Sequence, residues 1–231
     1  MNDNFIVFQR VIFNSKPFQN LLSLPLFLSK NINKTTRLAI WKIEEPEQFF
    51  DLGIPLQSEI RHPHKRLQHL AGRYLLPLLF PDFPNQEIEI ADTRKPFLAK
   101  EQYHFSISHS IDYAAAIVSS QYRVGIDVET ITPKVQLIKH KFLHQDEQDF
   151  VHKHSADDQI KILSVAWNAK EAMYKWYGLG QVDFSEMLRL EPFDLGNDGV
   201  INAKFINEQF EKALQVQYQI FDQLVLAWIV Q

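Results

Sequence analysis

The sequence predicts an α+β fold of two similar α/β subdomains, each a small, mainly antiparallel sheet carrying one main helix. Three observations lead there. Short runs rich in β-branched and aromatic residues recur along the chain, while two stretches keep apolar residues at helical spacing. No tract rich in proline, glycine or charge is long enough to part independent domains. The order strands, helix, strands then occurs twice in 231 residues, with no clear repeat of sequence. The seam falls near residues 110–122, which divides the chain into 1–115 and 116–231.

Taken in order, residues 5–13 and 38–43 read as buried strands. Pro63 suits the first turn of a helix that runs to about residue 76, before Pro77 disturbs it. Its apolar set is Leu67, Leu70, Ala71, Tyr74 and Leu75, with Lys65, Arg66 and Arg73 largely on another face. Strands follow at 86–90, 103–107, 113–119 and 123–129. Residues 144–154 suit a short polar helix, and 157–177 a longer one that stops at Gly178. Residues 186–191, 200–206, 213–221 and 224–230 read as a closing antiparallel meander.

Composition removes several function classes. With 24 Lys and Arg against 28 Asp and Glu, the net charge of −4 offers no bulk basic field for nucleic acid or an anionic membrane. The absence of cysteine excludes a disulfide scaffold, a thiolate zinc site and a cysteine nucleophile. Seven glycines argue against a glycine-rich dinucleotide cradle. No basic segment followed by an apolar one opens the chain, and no apolar run nears the ~18–20 residues of a membrane span. A soluble, cytoplasmic protein is expected.

Charged residues stand in unusual places. Alternation in residues 123–129 puts Val124, Ile126 and Val128 on one strand face, and Gly125, Asp127 and Glu129 on the other. Two carboxylates on one face, with Cα atoms roughly 6.5–7 Å apart, repel each other unless a cation lies near. The plainer alternative is a half-exposed strand with a solvated polar face. In helix 157–177, Glu171 borders a narrow polar strip that contains Asn168 and Lys175. Lys170 lies on the apolar side, where a buried ammonium needs an anion or a carboxylate. An i,i+4 pair of Glu171 with Lys175 and a snorkelling Lys170 would account for the helix alone. Together, Asp127, Glu129 and Glu171 offer oxygen ligands to a hard divalent ion such as Mg2+, and the lysines offer charge to phosphates. Phe105-Ser106-Ile107-Ser108-His109-Ser110 is a strand end whose hydroxyls and histidine are structural or ligand-binding. Arg94-Lys95-Pro96 reads as a turn fixed by proline.

In order, Lys95-Pro96, residues 105–110, Gly125-Ile126-Asp127-Val128-Glu129, and Trp167-Asn168-Ala169-Lys170-Glu171 with Lys175 resemble the motifs of the 4′-phosphopantetheinyl transferase superfamily, in its long, surfactin-synthetase-activating type. Lys141-Phe142-Leu143 followed by Glu147 is similar to that family's aromatic-then-acidic segment, and residues 70–76 to its N-terminal helix. The resemblance implies a pseudo-dimer that transfers the phosphopantetheine arm of coenzyme A to a serine of an apo-acyl or apo-peptidyl carrier protein. Adenosine 3′,5′-bisphosphate is released. It further implies Mg2+ held by Asp127, Glu129 and Glu171, and phosphates met by Lys170 and Lys175, the latter also helping the leaving group. Glu171 would activate the serine. Ser108, His109 and Lys95 beside Pro96 would contact the adenosine phosphates. Arg66 and Arg73, with Arg61 and Lys65, are proposed substitutes for reaching the 3′-phosphate. Arg94 stands where the family usually has glycine. A monomer without nucleic-acid or membrane partners is expected. The competing readings are a coenzyme A or carrier-protein binding module without turnover, and a metal-dependent hydrolase acting on a diphosphate.

Overall fold

The computed structural model describes residues 26–53 and 60–231, so the strand expected at residues 5–13 lies outside it. Its elements are β1 (Leu26–Asn33), β2 (Thr36–Lys42), α1 (Pro63–Leu79), β3 (Ile88–Ile90), β4 (Pro96–Leu98), β5 (His104–Ser110), β6 (Tyr113–Ser119) and β7 (Val124–Thr130). After these come α2 (Val135–Phe142), α3 (Gln145–His152), α4 (Ala156–Tyr177), β8 (Leu188–Leu190), β9 (Asp198–Ile206), β10 (Glu211–Phe221) and β11 (Leu224–Val230). One sheet has the order β1-β2-β6-β5, a second has β7-β11-β10-β9-β8, and β3 pairs with β4. Every strand pair among the described residues is antiparallel. The class is α+β, as the sequence predicts. The chain changes sheet between Ser119 and Val124, and β6 straddles the division expected after residue 115.

Strand alternation builds the layers. On β2, Ala39 and Trp41 face α1 and pack with Phe50, Tyr74 and Leu75. Leu38 and Ile40 point the other way and meet Ile126, Val128, Leu226 and Trp228 of the second sheet. On β11, Val225, Ala227 and Ile229 join the core beneath α4, with Leu163, Ala169 and Met173. Both sheets are therefore covered on both faces, which is why β6 and β11 read as near-continuous apolar runs. The apolar face of β7 packs against a second sheet, so its polar face is turned toward α4.

Helix ends follow from identifiable residues. The Ser155 hydroxyl accepts from Asp158 N at 3.3 Å to cap α4, and Gly178, at φ 75°, closes it in the left-handed conformation that glycine tolerates. Pro77 does not stop α1, because it sits in the last turn and Phe80 N still reaches Leu76 O at 3.0 Å. Gly125 decides how closely α4 approaches β7. A Cβ there would run into the Ala172 carbonyl oxygen and lie 2.8 Å from Trp176 N. Backbone thus packs on backbone beside Asp127. No helix among the described residues is long and apolar enough to cross a membrane.

Candidate functional site

β5 and β7 are the facing edges of the two sheets, and among the described residues they share no backbone ladder. A buried strand edge still needs partners for its N–H groups. Here serine hydroxyls supply them. Ser106 Oγ accepts from Ile126 N at 3.2 Å, and Ser108 Oγ accepts from Val128 N at 3.3 Å. Ser108 also donates to Asp127 Oδ1 at 2.7 Å, and Ser110 donates to Glu129 Oε2 at 2.6 Å. The period-2 spacing of three serines therefore serves the seam, and two of them orient the carboxylates of β7.

From the other side, α4 brings Lys175 and Glu171. The Lys175 ammonium donates to Asp127 Oδ1 at 2.6 Å and to Ser108 Oγ at 2.9 Å. Asp127 is only 3% exposed, and its Oδ2 is buried without a hydrogen-bond partner among the described residues. Burial, and next the charge of Asp127, push the Glu171 carboxyl up to about 7; Lys175 opposes this and Glu129 adds to it. Glu129 is likewise raised, by burial first, with the Ser110 bond opposing and Asp127 adding. Three carboxylates and one ammonium thus share a partly dry space. As they stand, no three His, Asp or Glu side chains among the described residues converge tightly enough to grip an ion. Asp127 is paired here with the Lys175 ammonium at 2.6 Å.

Lys170 requires a correction. It is fully buried, and its three N–H bonds go to Glu147 Oε2 at 2.6 Å, Phe142 O at 2.6 Å and Phe184 O at 2.9 Å. Burial lowers it to about 8 against the pull of Glu147, so it stays charged at neutral pH. The sequence demands an anion or a carboxylate for this lysine, and Glu147 supplies a carboxylate. An ammonium spent on internal acceptors presents nothing to a phosphate.

Lys95 donates to the Lys175 carbonyl at 2.7 Å, where the last turn of α4 leaves carbonyls open. Burial, then Arg123, bring it down to about 8. Pro96 opens β4 directly after it. Arg94 has φ 65°, the left-handed region that a glycine would occupy at no cost and other residues at roughly 1–2 kcal/mol. Arg66 is exposed and bonded to Glu47 at 2.8 Å. Arg73 is half-buried on the same helix, and burial lowers its pKa.

The His109 and His69 rings lie 5.0 Å apart. Burial first, then His69 and Lys175, depress His109 to about 4, so its ring is neutral at pH 7. Between about pH 4 and 6.5 the unfolded chain binds the extra proton, so stability falls as pH drops through that window. Urea titrations across pH 4–7 should show this loss in the native chain and a flatter profile in His109→Gln, by about 1–3 kcal/mol at pH 4. Ser110, His69 and Glu147 are supporting residues to which the sequence reading gives no individual role, and Ser106 serves the backbone seam alone. For the serines the signal was their alternation.

Residues 123–229 match the family model described as the 4′-phosphopantetheinyl transferase superfamily. The chain is 28% identical over 156 residues to the 4′-phosphopantetheinyl transferase gsp of Aneurinibacillus migulanus, covering 67% of this chain and 59% of that protein. It is 34% identical over 129 residues to the 4′-phosphopantetheinyl transferase AcpT of Escherichia coli K12, covering 53% and 64%. A third relative, the 4′-phosphopantetheinyl transferase HetI of Nostoc, is 27% identical over 169 residues, covering 64% and 71%. The chain spans about three fifths of the length of the first two.

Proposed function

We propose that the chain is a member of the 4′-phosphopantetheinyl transferase superfamily, whose family model matches residues 123–229, and that it moves the phosphopantetheine arm of coenzyme A onto a serine of an apo-acyl or apo-peptidyl carrier protein. The observation that carries the proposal is the buried meeting of Asp127, Glu129 and Glu171 with Lys175 across the β5–β7 seam.

Mg2+ fits this donor set. All three side chains offer hard oxygens, their charge exceeds that of the one lysine, and Asp127 Oδ2 lacks a partner among the described residues. Asp127, Glu129 and Glu171 would hold the ion. When bound it supplies positive charge to the diphosphate. In the transfer, the serine oxygen bonds to the phosphorus that carries the pantetheine arm. The bond from that phosphorus to the bridging oxygen breaks, and adenosine 3′,5′-bisphosphate leaves. Glu171 takes the serine proton, directly or through a water, and Lys175 neutralises charge on the departing phosphate. Ser108, His109, Arg66, Arg73 and the Lys95-Pro96 turn are assigned to the adenosine phosphates. The two sheet–helix units are read as the halves of a pseudo-dimer, acting as a cytoplasmic monomer.

The test is intact-mass analysis of apo-carrier proteins incubated with the chain, coenzyme A and Mg2+. The carrier should gain one phosphopantetheine arm only when coenzyme A and metal are both present. Coenzyme A binding without mass gain would select a binding module, and diphosphate cleavage without any carrier would select a hydrolase.

A further inference from the structure

Resting on that reading, we propose that Ser110 is a positioning residue of the metal-binding carboxylates, its hydroxyl holding Glu129 in place beside Asp127 and Glu171. Ser110 is the last residue of β5, is 8% exposed, and sits opposite Tyr113 in the pairing with β6. The turn that follows is fixed from outside. Ile111 has φ 48°, a region that β-branched residues avoid, and its carbonyl accepts from Gln68 Nε2 at 2.7 Å and lies 2.9 Å from His64 Nε2. Two side chains of α1 thereby hold the backbone that presents the Ser110 hydroxyl. That hydroxyl reaches Glu129 Oε2 at 2.6 Å, a length typical of a bond to a charged acceptor. Ser108 does the same for Asp127, so strand alternation sets one hydroxyl on each carboxylate of β7. Glu129 is only partly buried. Without the bond it is free to turn toward water.

Partners that orient a metal ligand typically change metal affinity by about 10- to 100-fold when removed. Ser110→Ala should therefore weaken Mg2+ by about 10- to 100-fold, read by calorimetry on the full chain saturated with coenzyme A and by the Mg2+ dependence of carrier modification. Ser110→Thr should restore it. Ser106→Ala, which removes a seam hydroxyl bonded to backbone alone, should leave Mg2+ affinity unchanged. Should Ser110→Ala fail to fold, Ser110→Cys keeps the volume with a weak donor and should show the same weakening. Native-like Mg2+ affinity in the Ser110 variants, or an equal loss in Ser106→Ala, overturns the proposal. A native chain that neither binds Mg2+ nor modifies a carrier ends the parent reading as well. A native chain that does both, with Ser110→Ala matching it, ends this one alone.

Discussion

Asp127→Ala and Glu171→Ala are each expected to reduce carrier modification by at least about a hundred- to a thousand-fold, the scale on which removing one preorganised charge-stabilising group acts. Initial rates by mass spectrometry at saturating coenzyme A and Mg2+ would measure it. Stability should move the other way when the Glu171 carboxylate alone is removed. Burial first, and then the charge of Asp127, drive Glu171 up to about 7, with Lys175 opposing and Glu129 adding. A carboxyl raised above its usual 4.5 makes the folded chain bind more protons than the unfolded one between those values. Stability is then lost as pH rises from 4.5 through 7. Glu171→Gln removes that loss, so at pH 8 it should melt at a higher temperature than the native chain while being nearly inactive. Loss of function with gain of stability is the mark of a site held under electrostatic strain for its ligand. Unchanged rates in both Asp127→Ala and Glu171→Ala would refute the carboxylate assignment.

How much of this was legible beforehand depended on which signals were local. α1 and α4 were readable because apolar spacing, a proline at the start of one and Gly178 at the end of the other act within a few residues. β1 was not. Its Ser29-Lys30-Asn31 stretch is exposed and its pairing with β2 is irregular at both ends, so no alternation marks it. α2 escaped because it is short: Val135, Ile138 and Phe142 stand at helical spacing and pack on the core, but eight residues give that period little room to show. In the site, alternation placed Asp127 and Glu129 on one face of β7. Burial of that face by α4 depended on Gly125, whose missing Cβ matters only once the helix is there. Lysine partners were harder still. Lys175 meets a carboxylate 48 residues away and Lys170 one 23 residues away, and both hang on long side chains whose direction is set by tertiary packing.

The Lys170–Glu147 pair gives the second large effect, on stability. Glu147 Oε1 accepts from Leu190 N at 2.7 Å, and its Oε2 accepts from His144 N at 2.8 Å as well as from Lys170. One ion pair therefore ties the start of α3, the end of α2, the strand β8 and the segment at Phe184 to the middle of α4. Lys170→Met leaves Glu147 as a buried charge without its counter-ion and strips a donor from two carbonyls. Breaking a buried pair from one side costs about 3–5 kcal/mol. Urea denaturation should show that loss in Lys170→Met. A smaller loss is expected in Lys170→Met with Glu147→Leu, where no unpaired charge remains. Because this lysine points away from Asp127, folded Lys170→Met should keep its KM for coenzyme A within about twofold, whereas removal of a phosphate contact raises KM. A loss under about 1 kcal/mol together with a raised KM would return Lys170 to the ligand and overturn its structural role.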